Sequence, residues 1–320
     1  MRTSSPDGKN NNTLNTMLPV AVVLSSCVLI ALELLTGPAG IDPMIVKTIR
    51  LPRMIVAILV GGGLAVSGAT FQSILSNPLA DPYIMGSASG AAIGVIVSEL
   101  TGLRALTPLF AFVFAAIAGG AAIGISRKVG GSFTAGGLVL AGFSVNVLAS
   151  SLVIAYFYIS GKDSQSLMSF LFGYLGENDY RIIGAAAAGV LIPSYILYRL
   201  WWILDASSLG EEKFSSLGFN AFKTHAWVAA LATLIVSVIV SIAGIVGFAG
   251  LVAPNAARFI VGPSHKRLLP ASFIAGALFL MAGDITGKII FSPYELPAGI
   301  VTSIIGIPVF VKIILLRQKR

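Results

Sequence analysis

Charge is scarce in this sequence. Asp, Glu, Lys and Arg make up 11% of its 320 residues, where a water-soluble domain usually carries about 25%. Cysteine is scarcer still: Cys27 stands alone inside an apolar run, which excludes an intrachain disulfide and any cysteine-based metal site. The two histidines, His225 and His265, are isolated and fall at predicted span ends, where a lone histidine is usually interfacial. No hydrolytic constellation can be assembled from residues so sparsely placed. The nearest approach to a P-loop is Gly283-Asp-Ile-Thr-Gly287-Lys288. It has three residues between its glycines instead of four, and Ile289 stands where Ser or Thr must reach magnesium. The expectation is a chain with no catalytic residue, no metal site and no bound cofactor of its own.

What the sequence does have is hydrocarbon. Apolar residues make up 56% of the chain, the mean hydropathy is +0.91, and apolar runs of about 18 to 25 residues recur along the whole length. They are continuous rather than alternating, which argues for helices and against a porin-like barrel. The reading is an all-α polytopic membrane protein of about ten spans, near 17–36, 53–75, 83–100, 107–126, 135–158, 182–203, 224–243, 249–261, 269–286 and 298–316. The eighth is short and interrupted by Pro254, as for a half-helix buried against protein. The 35 glycines sit within the apolar runs, as expected where spans pack through small residues. Residues 1–16 form a polar tail with no signal-peptide cleavage pattern after it, and residues 17–320 read as one membrane domain. An internal repeat is hinted at by two Gly-rich spans, one leading to Asn77-Pro78 and the other to Pro254-Asn255.

A net charge of +8 suggests nucleic acid only until the charges are placed. They lie in the gaps between spans and at the ends, which is a topology signal. With a cytoplasmic N-terminus, the inner side collects fourteen of the basic residues and the outer side seven, among them Lys47, Arg50, Arg53 and Lys288. Both termini, and the segment 205–223, are therefore expected in the cytoplasm. On the outer side, the apolar stretch Leu167 to Leu175 is expected to form a short helix.

The segment Asp205 to Lys223, DASSLGEEKFSSLGFNAFK, is the longest polar interruption in the second half. Ser208 and Glu211 fit an S-x-x-E capping box, Gly218 can take the left-handed turn that stops a helix, and Asn220 can cap the next one. Phe214, Leu217, Phe219 and Phe222 give these short helices apolar surface beside Glu211, Glu212 and Lys213. Such punctuation implies a rigid docking element for a soluble partner, or else an amphipathic connector lying on the membrane.

Several strings then carry a resemblance. Arg50-Leu-Pro-Arg53 is followed by a Gly-rich span and Asn77-Pro-Leu-Ala-Asp81-Pro. The second half has Gly247-Phe-Ala-Gly-Leu-Val-Ala-Pro254, then Ala257-Arg258 and His265-Lys-Arg-Leu-Leu-Pro270. Asp284, Glu295-Leu-Pro297, Gly299 and Gly306 close the series. Together these resemble the FecCD/BtuC-type permeases of ATP-binding-cassette (ABC) importers, which take up iron-siderophores, haem and cobalamin. The resemblance covers roughly residues 45 to 316. One departure is Asn255, where the family often has histidine after the proline.

The resemblance implies a type II importer permease of ten helices in a bacterial or archaeal cytoplasmic membrane. It implies a second copy of the chain, two ATPase subunits that hold ATP and magnesium, and an extracytoplasmic substrate-binding protein, with no nucleic acid among its partners. The family uses paired short helices after its sixth span to meet the ATPase; here these match Leu209, Gly210, Glu211, Glu212, Phe214, Leu217, Gly218 and Phe219. Its outer arginines meet acidic residues of the binding protein, which falls on Arg50 and Arg53, and with a lysine in place of arginine on Lys288. The weakly polar groups Ser87, Ser89, Ser144 and Asn146 are candidates for a pathway wall, although Gly86-Ser-Ala-Ser-Gly90 also has the spacing of a close helix contact. Two other classes stay open: an ion-coupled secondary transporter and a membrane scaffold or sensor subunit. Coupling to ions calls for ionisable groups at mid-span. Glu33, Glu99 and Asp284 lie toward predicted span ends, and Asp81 sits beside prolines in a break.

Overall fold

The computed structural model describes residues 24–35, 42–130, 135–160, 165–176, 179–290 and 296–318. The polar tail 1–16, the start of the first expected span, and Lys162 and Glu295 lie outside the described residues. The chain is helical, as the continuous apolar runs require when every backbone amide must be satisfied within hydrocarbon. Helix α1 covers Leu24–Leu35 and α2 covers Pro43–Ile74. Then follow α3 (Ser87–Leu100), α4 (Thr107–Gly130), α5 (Ala135–Ser160) and the short α6 (Gln165–Phe172). The second half has α7 (Tyr180–Arg199), the two short helices α8 (Trp201–Ser207) and α9 (Glu211–Ser216), and then α10 (Ala221–Ala243). It closes with α11 (Ala249–Val261), α12 (His265–Ile290) and α13 (Ala298–Gln318).

Where ten spans were expected, seven helices among the described residues are long and apolar enough to cross a membrane. Three others, α1, α3 and α11, are apolar but shorter. At about 1.5 Å per residue, α3 and α11 reach roughly 20 Å, against the ~30 Å of a hydrocarbon core. Both are half-helices. A Cβ placed on Gly119, midway along α4, would meet the Ser87 hydroxyl and the Thr233 side chain midway along α10. The first residue of α3 therefore lies deep in the bundle.

Helix α2 is the centre, buried along almost its whole length from Pro52 to Ile74. It runs antiparallel to α12. Arg53 meets Asp284 near one end, and a Cβ on Gly61 would lie 2.2 Å from the Gly276 carbonyl oxygen. The same test puts Gly68 at 1.8 Å from the carbonyl oxygen of Gly250, near the start of α11. At these two crossings backbone meets backbone, the close approach that small residues permit in membranes.

The two breaks in the bundle meet each other. The Tyr83 hydroxyl, in the turn Pro82–Met85 that leads to α3, donates to the Val246 carbonyl at 3.2 Å and accepts from the Val246 amide at 3.1 Å. Asn255 donates its side-chain amide to the carbonyls of Pro78 at 2.9 Å and of Leu251 at 2.8 Å. The residue that departs from the family pattern is thus the one that ties α11 to the first break. The expected helix near Leu167–Leu175 is α6. Its Phe170 carbonyl accepts from Ile245, and Tyr174 donates to Ala243, so it seals the far end of α10.

Candidate functional site

Two polar assemblies stand at opposite ends of the α2/α12 pair. The first is an elbow formed by α8, α9 and the start of α10. Phe214 is fully buried. Its ring stacks on Phe219 with centroids 5.0 Å apart and lies 4.7 Å from the His225 ring. Trp202 adds to the same stack, 5.7 Å from Phe219. The elbow is therefore a small aromatic core of its own, not a loose connector. Gly210 (φ 95, ψ 157) precedes α9 in a region open essentially to glycine alone, and Gly218 turns the chain out of it at φ 86. A Cβ on either would meet nothing within 4 Å, so these glycines are required by backbone conformation and not by crowding.

The capping box does not form. Ser208 stays with α8, its hydroxyl donating to the carbonyls of Leu204 and Asp205, and α9 starts at Gly210 with no side-chain cap. Asn220 does cap α10, accepting from the Lys223 amide at 2.9 Å. Around this core, Leu209 and Leu217 are each 57% exposed, flanking the exposed Glu212 and Lys213. Glu211 is partly covered, and that burial pushes its carboxyl pKa up.

Below the elbow, both histidines expected to be isolated at the interface are buried and partnered. His225 Nε2 pairs with the Ser207 hydroxyl at 3.0 Å. Asp205 accepts from the backbone amide of His265 at 2.7 Å, from its Nδ1 at 2.6 Å, and from the Ser264 hydroxyl at 3.1 Å. The end of α2 joins the same region: Ser73 donates to the Leu204 carbonyl at 2.5 Å and Ser76 to the Ser207 carbonyl at 3.3 Å.

The second assembly is an ion cluster at the other end. Arg53 grips Asp284 with two bonds, Nε to Oδ2 at 3.0 Å and Nη2 to Oδ1 at 2.8 Å. Lys288, one turn on from Asp284, reaches Asp284 Oδ2 at 2.7 Å and also pairs with Glu33 of α1. Arg50 donates to the Leu34 carbonyl at 2.8 Å, covering one of the last carbonyls of α1. The three cations expected to meet a binding protein thus stand within one internal arrangement of the described residues. Arg50, Arg53 and Lys288 are buried, with Arg53 and Lys288 paired to Asp284 and Lys288 also to Glu33. The reason is energetic, since an uncompensated charge inside a protein costs several kcal/mol. The Asp284–Lys288 pair was readable from its i,i+4 spacing. Glu33 and Arg53 lie more than two hundred residues from their partners, and no local pattern links them.

The candidate pathway residues divide. Ser87 and Ser89 are buried in the α3/α4 contact, where a Cβ on Gly90 would press within 2.5 Å of Ala118, so close packing occupies them. Ser144 is exposed on α5, its hydroxyl bonded to the Leu140 carbonyl, and Asn146 is half-buried. A hollow of about 470 Å³ lies one turn away, lined by Leu75, Asn77, Ala135, Gly136, Val139, Leu140 and Phe143. Among the described residues no cluster of three or more His, Cys, Asp or Glu could hold a metal.

Comparison with known proteins gives one consistent answer. The pattern of the FecCD transport family matches residues 13–317. The chain is 35% identical to the cobalamin import system permease BtuC of Halobacterium salinarum, over 87% of this chain and 75% of that one. It is 32% identical to the iron-uptake system permease FeuC of Bacillus subtilis, over 90% of each. A solved inward-facing ABC transporter of metal-chelate type superposes with a TM-score of 0.82 at 28% identity, covering 92% of this chain and 97% of that one.

Proposed function

The chain belongs to the FecCD transport family, and from that premise we propose that it is the membrane-spanning subunit of an ABC importer for a bulky metal chelate. An iron-siderophore is the first candidate, with haem and cobalamin next. Two copies would form the pathway at their interface, and a binding protein would deliver the cargo from outside. ATP and magnesium would reside on two separate ATPase subunits in the cytoplasm. The observation that carries this reading is the elbow: a preformed aromatic core that holds Leu209 and Leu217 out to solvent, each followed by a conformationally obligatory glycine. Exposed leucines rimmed by Glu212 and Lys213 suit a protein partner at a membrane surface.

In the proposed cycle, ATP draws the two ATPase subunits together. They displace the elbows, and the spans attached to them change the side to which the cavity opens. Selectivity would rest mainly with the binding protein, because the polar groups near the hollow are small and generic.

The test is uptake of ⁵⁵Fe-labelled ferric chelates by cells carrying the complete transporter. Uptake should collapse on ATP depletion and survive a protonophore. The opposite pattern would favour an ion-coupled carrier. Changing Glu211 or Gly218 should abolish uptake with the complex still assembled, and unchanged uptake would indicate a scaffold.

A further inference from the structure

The elbow is fastened to the spans in two different ways. Helix α9 rests on α8 and α10. Its contact with α10 is the stack of Phe214 on His225, an apolar surface whose rings can slide without losing much contact. The attachment of α8 is directional. Asp205, in its last turn, receives the backbone amide of His265, the imidazole Nδ1 of the same residue and the Ser264 hydroxyl, all at the first turn of α12. A carboxylate can only accept, so the imidazole proton sits on Nδ1. Bonds of this kind weaken steeply with misalignment, so α8 and the start of α12 must move together or part. Helix α12 is in turn pressed backbone to backbone on α2 at Gly276 and Gly61, and gripped again by Arg53 on Asp284 at its far end.

We infer that Asp205 is the positioning residue through which displacement of the docking elbow reaches α12, and that α12 carries α2 with it as one body. This rests on the reading that the elbow receives an ATPase. On this account α12 is the lever; α9 turns against α10 on the Phe214–His225 stack, while α8 is held to α10 by the Ser207–His225 bond and to the end of α2 by Ser73 and Ser76.

The test uses the full chain assembled with its cognate ATPase in proteoliposomes, with Cys27 replaced by serine and Ile290→Cys as a reporter at the far end of α12. Ile290 is 66% exposed. The maleimide labelling rate is compared between nucleotide-free complex and complex trapped with Mg-ATP and vanadate. With Asp205 intact, the rate should change by roughly fivefold or more, the low end of ordinary coupling between sites. Asp205→Ala removes both acceptors, the Oδ1 that takes the two His265 bonds and the Oδ2 that takes the Ser264 hydroxyl. It should still assemble and hydrolyse Mg-ATP, yet show nearly equal labelling in the two states. Asp205→Glu, which keeps the charge, should restore part of the difference. A merely structural role would lower assembly and hydrolysis together and leave the labelling ratio of the surviving complex intact. That result, or an intact chain whose labelling ignores nucleotide, overturns the inference. Failure of the intact chain to capture any ATPase would remove the functional reading as well, so the two failures are distinguishable.

Discussion

Replacing Lys288 by methionine isolates what the buried ion cluster contributes. The side chain keeps its length and loses its charge, leaving Glu33 without the lysine that pairs with it. Asp284 retains its two bonds to that guanidinium, whereas Glu33, fully buried on α1, loses the lysine that neutralises it. Breaking a buried pair by removing one partner costs about 3–5 kcal/mol. At roughly 2 °C per kcal/mol for a large chain, the unfolding midpoint should fall by about 6–10 °C. Adding Glu33→Gln to Lys288→Met removes one charge of each sign from the cluster and leaves the Arg53–Asp284 pair in place. The double variant should return to within about 1 kcal/mol of the parent. The measurement is thermal unfolding of the purified chain in mild detergent, followed by near-ultraviolet circular dichroism. If Lys288→Met unfolds with the parent, or the double variant is no better than the single one, the cluster does not hold the chain as described. Were Lys288 instead to face an external acidic partner, the midpoint would stay put and only partner capture would suffer.

Two further substitutions separate conformation from packing. Gly210→Ala places a Cβ in open space but at φ 95, ψ 157. It should cost about 1–3 kcal/mol of local strain, seen as weaker co-purification of the ATPase with little change in overall thermal stability. Gly68→Ala is the converse. Its backbone is helical, but the new carbon would lie 1.8 Å from the Gly250 carbonyl oxygen. It should push α11 away from α2 and abolish the folded yield on size-exclusion chromatography, and normal yield would refute that close approach.

The long apolar runs made the helical membrane fold legible, because hydropathy acts locally and hydrocarbon admits few alternatives. The elbow was legible for a similar reason: Gly218 and Asn220 act on their own neighbours. Ser208 misled because an S-x-x-E spacing says nothing about which helix the serine joins. Its hydroxyl satisfies the end of α8, and Gly210 sets the start of α9. Apart from the i,i+4 pair Asp284–Lys288, the ion cluster and the Asp205–His265 attachment lay beyond sequence reading. Their partners are brought together only after α2 and α12 have packed, and their bonds leave no periodic trace. The excess of basic residues on the expected outer side has a recipient that sequence reading did not name. Arg53 and Lys288 answer carboxylates of their own chain.

The meeting of the two breaks has a consequence for how the molecule can be divided. Tyr83 and Val246 satisfy each other's polar groups, and the Asn255 side chain from α11 covers the Pro78 carbonyl of the first break. Expressed as separate fragments cut between residues 160 and 180, each half would carry bare peptide groups into lipid and be degraded. Produced together, the fragments should find one another and form a working whole.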